Sequence, residues 1–265
     1  GEELTLAETS HELRWLTRHV ASRARSIVAN TRHTKEILIK TSGAPEDRVI
    51  VLHPGVDATV FKPAPADPVV RERFAWTNRR VVLTVGALSM RKGQDMMIRA
   101  LPEVRRHCPD VLYVIVGDGA DKPRLERLVT EHQVGDLVQF RTTASDAELI
   151  QCYQQCDVFA LPNRRVGWDI EGFGIVLIEA QACGKPVIAG SSGGTAEAMD
   201  PGRSGELINC DAPEELARTV SALLGDPRRR AAFGARARQS VLERFVWPVL
   251  ARQAGALVTA SARGG

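Results

Sequence analysis

The chain has 265 residues, of which 44% are hydrophobic and 25% charged, with a formal net charge of +3. That is the composition of a soluble globular protein, sized for one large domain or one and a half ordinary ones. The charge is too small and too scattered to argue for nucleic acid. No apolar run approaches the ~18 residues of a membrane span, and the start, Gly1-Glu2-Glu3-Leu4, lacks a signal-peptide pattern.

Five cysteines, Cys108, Cys152, Cys156, Cys183 and Cys210, form no C-x2-C pair and no disulfide-like framework. Cys152 and Cys156 stand one helical turn apart with no histidine near, so core thiols rather than metal ligands are expected. A reducing, cytoplasmic setting follows.

Residues 4 to 25 predict a helix, with Leu4, Leu13, Leu16 and Val20 forming a partial apolar face. Its basic face (Arg14, Arg18, Arg23, Arg25) reads as solvated; weak peripheral contact with an anionic membrane is the alternative. A strand at 26–30, a helix at 31–40 broken by Gly43-Ala44-Pro45, and a strand at 48–52 follow. His53-Pro54-Gly55-Val56-Asp57 is a turn by composition. Phe61 to Asp67, Phe-Lys-Pro-Ala-Pro-Ala-Asp, is the most linker-like stretch.

Beyond it the alternation becomes regular. Strands are expected at 81–85, 111–116, 137–140, 157–161, 186–190 and 205–208, between helices at 94–107, 121–132, 145–155, 174–183 and 213–224. Strand then helix, repeated, predicts an α/β fold: a doubly wound, parallel, six-stranded sheet covered on both faces. Such sheets bind ligands beyond the carboxyl ends of their strands. Glycine-bearing turns fall there at Gly86, at Gly117-Asp118-Gly119 and at Gly190 to Gly194. From Pro227 the chain reads as helical, with a break at Trp247-Pro248.

The organising stretch is Glu171-Gly172-Phe173-Gly174-Ile175-Val176-Leu177-Ile178-Glu179-Ala180, running on to Cys183-Gly184-Lys185-Pro186-Val187. Its glycines permit a tight turn and close approach of a ligand. Free N–H groups at residues 174 to 176 would open a helix and offer an anion site. Glu171 and Glu179 would flank a ligand whose phosphates rest on that helix start. A nucleotide-sugar has that layout.

This segment resembles the E-x7-E signature of the family 4 retaining glycosyltransferases of the GT-B fold. The resemblance covers nearly the whole chain, which looks like only the C-terminal two-thirds of the family. It implies that Glu171 is the catalytic-site residue holding the donor sugar hydroxyls, positioning the sugar without needing to be a covalent nucleophile. It also implies that Glu179 takes the ribose hydroxyls. Gly172, Phe173, Gly174, Ile175 and Val176 would receive the sugar and diphosphate through the backbone.

The turn Val85-Gly86-Ala87-Leu88-Ser89-Met90-Arg91-Lys92-Gly93 is similar to the family's G-R-L-x-x-x-K-G, whose arginine and lysine hold the diphosphate. Lys92 matches the lysine, whereas Ala87 stands at the arginine's position, with Arg91 the candidate to compensate. Arg164 and Arg165, after the strand at 157–161, are further candidates for phosphate or acceptor, although loop arginines are usually solvated. Gly117-Asp118-Gly119 lacks the third glycine of a dinucleotide fingerprint, which would fall at Lys122, so a nicotinamide cofactor is not supported. Ser191 to Glu197 resembles the family's small-G-G-x-P-E turn with Ala196 for proline, its glycines serving the turn.

No Asp-x-Asp is present, so neither a metal nor another cofactor is called for; the donor would be a UDP- or GDP-sugar. The acceptor would be a hydroxyl of a glycan, lipid or small molecule. The resemblance divides the chain into residues 1–60 as the tail of an acceptor domain, 61–245 as the donor domain, and 246–265 as a helix packing back on the first part. The rest of the N-terminal half would be a partner. No histidine matches the family's acceptor-side one, and His11, His19, His33 and His53 read as surface or helix-end residues. Transfer of a sugar, or donor binding by a truncated module without transfer, are the two functions open.

Overall fold

The structure is a computed structural model that describes residues 10–263. It begins with a small unit. Helix α1 (His11–Arg23), strand β1 (Ile27–Ala29), helix α2 (Arg32–Ser42) and strand β2 (Val49–Val51) form a two-stranded parallel sheet with its helices. Thr31 opens α2 by accepting from the Thr34 N–H, and Gly43 closes it in a left-handed conformation. The expected apolar face of α1 is not buried by the described residues. Leu13, Leu16 and Val20 are exposed, and only Ala21 enters the small core with Ala29, Leu38, Ala44 and Val49. Leu4 lies outside the described residues.

The large unit is built on a six-stranded sheet of β3 (Arg80–Val85), β4 (Val111–Val116), β5 (Val138–Arg141), β6 (Val158–Leu161), β7 (Val187–Gly190) and β8 (Gly205–Ile208). The order is β5-β4-β3-β6-β7-β8, every pair parallel, so the winding reverses between β3 and β6. The doubly wound α/β expectation holds. The strands are apolar in both phases of their alternation because both faces are covered. Val81, Leu83, Val114, Phe159 and Val187 pack under α6 (Asp146–Gln155), α7 (Ile175–Ala182) and the end of α9 (Pro227–Arg244). Val82, Tyr113, Ile115, Val158 and Ile188 pack under α4 (Gln94–His107), α5 (Lys122–Glu131) and α8 (Pro213–Gly225).

One short helix, α3 (Pro68–Arg73), was not expected. Asp67 caps it by accepting from the Val69 and Val70 N–H groups, and proline fills its first position. The linker itself is pinned along its length. Gln154 donates to the Lys62 carbonyl, Gln155 bonds Pro65 and Asp67, and Arg238 donates to the carbonyls of Ala58 and Phe61.

The last helix among the described residues is α10 (Trp247–Arg263), which follows α9 after Phe245 and Val246. The join touches the turn that follows the small unit: the Val56 N–H donates to the Phe245 carbonyl, Val56 bridges Val246, and Trp247 and Leu250 lie over Gly55. Among the described residues, no helix is long and apolar enough to cross a membrane.

Candidate functional site

The turn after β3, the loop between β6 and α7 and the turn after β7 all emerge at the carboxyl edge of the sheet, on either side of its switch point. A cavity of about 320 Å³ opens there, within the usual range for small-molecule sites. Arg91, Lys92, Asp169, Glu171 and residues 172–176 line it, and Asn30 and Pro54 from the small unit complete the wall.

At its centre is a charge cluster. The carboxylate of Glu171 accepts from Lys92 Nζ at 2.5 Å and from Arg91 Nη1 at 2.6 Å, both on Oε2. All three side chains are at least 85% buried: their exposures are 10% for Glu171, 13% for Lys92 and 15% for Arg91. Asp169 pairs with Arg91 Nε at 2.8 Å. The Arg91 carbonyl also accepts from the Arg164 N–H, which fastens the β3 turn to the β6 loop. Arg91 therefore reaches the same carboxylate oxygen as Lys92, although the two are neighbours in sequence.

The α7 helix starts as the spacing predicts. Gly174 is its N-cap, at φ +84°, with no side chain bonded to the first turn. The N–H groups at the helix start are thus left for something else. Ile175 is exposed at the cavity, Val176 is half-buried, and Phe173 turns inward against His53 and Phe245.

Glu171 is held from behind. Its carbonyl accepts from the Gly194 N–H at 2.9 Å. At Gly193, φ is +73° and a side chain would stand 2.0 Å from the same carbonyl oxygen. Those glycines serve close approach of two loops as well as the turn.

Glu179 lies one turn into α7 and does not line this cavity. Its Oε2 accepts from the phenol of Tyr153 at 2.6 Å. Burial pushes the Glu179 carboxyl above its ordinary pKa, partly countered by that hydrogen bond. Tyr153, fully buried between Phe61 and Phe159, was not singled out from the sequence, nor were Asn30, Pro54 and Asp169.

Two expectations are corrected. Arg164 does not face the cavity but makes a two-pronged pair with the buried Asp95 on α4, at 2.8 Å to each oxygen. Burial raises the Asp95 pKa, yet Arg164 and Arg124 outweigh it and leave the carboxyl below its usual range. Arg165 lies over the Trp168 ring and donates to the Gly167 carbonyl. His53 is neither a surface nor a helix-end residue: it is partly buried, 3.0 Å from Glu197 Oε2 and ringed by Phe173 and Phe245. The same Glu197 accepts from the Arg32 and His33 N–H groups at the start of α2, joining the two units.

All five cysteines are buried and free, and burial drives the Cys156 thiol up to about 12. Among the described residues no three His, Cys, Asp or Glu side chains gather as metal ligands would.

Residues 68–240 match the family described as Glycosyl transferases group 1, and residues 5–60 match Glycosyltransferase Family 4. The chain belongs to the group 1 glycosyltransferases. Over 259 residues it is 38% identical to a GDP-mannose-dependent alpha-(1-6)-phosphatidylinositol monomannoside mannosyltransferase of Mycolicibacterium smegmatis, covering 93% of this chain and 68% of that protein. A D-inositol 3-phosphate glycosyltransferase of Thermobispora bispora is 33% identical over 242 residues, 88% of this chain and 55% of that one. Among solved structures, Anabaena HepE in complex with UDP-glucose superposes with a TM-score of 0.84 at 26% identity, covering 95% of this chain and 68% of HepE. The chain is thus a family 4 type glycosyltransferase of the GT-B fold, spanning about two-thirds of the length of the mycobacterial relative.

Proposed function

We propose that this glycosyltransferase moves a sugar, with retention of configuration, from a nucleotide-diphosphate-sugar to a hydroxyl acceptor. The observation that carries the reading is the convergence of Arg91 and Lys92 on one Glu171 oxygen beside the uncapped start of α7. A diphosphate entering there would draw both cations from Glu171 and rest on the N–H groups of residues 174–176. Charge-assisted contacts of this kind are strong. Arg91 then serves where Ala87 has removed the family's arginine.

The released Glu171 carboxylate is an acceptor-only group, suited to the hydroxyls of the donor sugar. Glu179 would take the ribose through Oε1, since Tyr153 already occupies Oε2. In the transfer, the bond from the sugar's anomeric carbon to the diphosphate breaks and the acceptor oxygen bonds that carbon from the same face. The acceptor proton passes to the departing diphosphate. Arg91, Lys92 and the helix start stabilise the charge that develops on it, so no metal or other cofactor is required by this scheme.

The donors named for the relatives, GDP-mannose and UDP-glucose, make those two the compounds to try. Their inositol-based acceptors make a hydroxyl of that class the first acceptor to offer. We assign residues 61–245 to the donor unit, 1–60 to the acceptor side and 246–265 to a helix returning to it. The Val56–Val246 bridge and the packing of Leu250 over Gly55 support that division. Buried, unpaired thiols are in keeping with a cytoplasmic setting.

The test is calorimetric titration with GDP-mannose and UDP-glucose, followed by a transfer assay with inositol-based acceptors. Saturable binding with turnover supports the reading. Binding without turnover, even when the N-terminal half of a relative is supplied, supports the alternative of a donor-binding module. No binding by folded protein overturns both.

A further inference from the structure

Asn30 follows β1 of the small sheet, just before the Thr31 cap of α2, and it lines the cavity wall. Its Oδ1 is buried with no hydrogen-bond partner among the described residues. Such atoms are rare in folded proteins, because an unmade bond keeps the whole desolvation cost. The two ends of an amide can be exchanged by a flip, and either end can hydrogen-bond a hydroxyl. Three other unpaired buried oxygens, Gln94 Oε1, Gln181 Oε1 and Ser221 Oγ, lie on helices of the large unit and outside the cavity lining. Asn30 alone among these four lines it.

The cavity's own charged groups do not answer Asn30. Arg91 is taken by Asp169 and Glu171, and Lys92 by Glu171. Opposite Asn30 is Gly172, where an added Cβ would come within 3.3 Å of the amide nitrogen. Glycine at 172 therefore leaves Asn30 access to the segment that carries Glu171.

We infer that Asn30 hydrogen-bonds a hydroxyl of the transferred sugar, reaching from the small sheet across the cavity to the donor. The inference rests on the donor reading given above. An amide offers an acceptor and two donors on one small group, which matches a hydroxyl that is itself both. Phosphate is a poorer match, since Oδ1 repels it. Asn30 is then a substrate-contacting residue supplied by the acceptor-side unit, and the sugar touches both sheets at once.

The experiment compares wild type, Asn30→Ala and Asn30→Leu by calorimetry with GDP, GDP-mannose, UDP and UDP-glucose, and by thermal melting without ligand. For whichever nucleotide series binds, both variants should bind the nucleoside diphosphate within about twofold of wild type. They should bind the nucleotide-sugar roughly tenfold more weakly, as loss of a hydroxyl contact predicts. Asn30→Leu should melt no lower than wild type, because an unpaired polar atom has been replaced by an apolar group of similar size. Equal weakening of nucleotide and nucleotide-sugar, no weakening of either, or an effect confined to acceptor KM would each overturn the inference while leaving the donor reading intact. Wild type that binds none of the four compounds would remove the donor reading, and this inference with it.

Discussion

Lys92 Nζ stands 2.5 Å from Glu171 Oε2, and Arg91 Nη1 reaches the same oxygen at 2.6 Å while its Nε pairs with Asp169. Two cations share one carboxylate oxygen in a largely buried site, with Asp169 balancing the second of them, beside a helix start with no side-chain cap. That arrangement favours an incoming anion through the helix start, and through the two cations once they turn from Glu171 to the anion.

Lys92→Ala should therefore weaken nucleoside-diphosphate binding by ~1.5–3 kcal/mol, the range for a hydrogen bond to a charged group, and Arg91→Ala should do likewise. Removing the terminal phosphate from the ligand should flatten both effects. Calorimetry with nucleoside diphosphate and monophosphate on the two variants checks this. Equal losses for both ligands would place the cations elsewhere than on the diphosphate.

The loop bearing Glu171 is seated on Gly193, where φ is +73° and a Cβ would stand 2.0 Å from the Glu171 carbonyl oxygen. Gly193→Ala meets two penalties, a left-handed backbone and a backbone clash. It should lower stability by at least ~2 kcal/mol, read as a reduced urea midpoint. Donor affinity should fall with it, because the clash pushes on Glu171 itself.

Much of the fold is visible in the sequence because its cause is local. The runs Val81–Val85 and Leu112–Val116 are apolar in both phases, which a sheet covered on both faces demands, and glycine turns mark their ends. Helix α3 escaped notice because six residues are too few to show a period, although Asp67-Pro68 is a cap signal. The site was legible where one segment carries it, from Glu171 to Val176, and in Lys92. It was not legible where tertiary packing assembles it. Nothing near Arg164 announces that its partner is Asp95, on a helix 69 residues earlier. Nothing near Asn30 or His53 announces that the small sheet will lie against the loop from Glu171 to Phe173.

The contact between the units should depend on pH through Glu197. Burial raises its pKa, but the Arg32 and His33 N–H groups and His53 outweigh burial and hold the carboxyl below its ordinary 4.5. A group whose folded pKa is depressed gives stability that is fully present above the unfolded value and is lost as pH falls through the folded one. Glu197→Gln should thus melt below wild type near neutrality, and the gap should close as pH drops under about 4.5. Melting curves across that window decide it; a gap that persists in acid would mean that the glutamate's charge is not what joins the units.

Glu179 should behave in the opposite sense. Its pKa is raised, chiefly by burial, and the Tyr153 hydrogen bond offsets only part of that. Ionising Glu179 in the folded protein is therefore a cost, absent below the unfolded pKa of about 4.5 and fully felt above the raised folded value. Glutamine keeps an oxygen for Tyr153 and cannot ionise. Without ligand, Glu179→Gln should melt above wild type at neutral pH, with the gain disappearing in acid. If Glu179 holds the donor ribose as proposed, the same substitution should weaken nucleotide binding. Higher stability together with lower affinity would mean that the buried carboxylate is kept for the ligand at the expense of the fold. Unchanged affinity in a stabilised variant would remove Glu179 from the donor site.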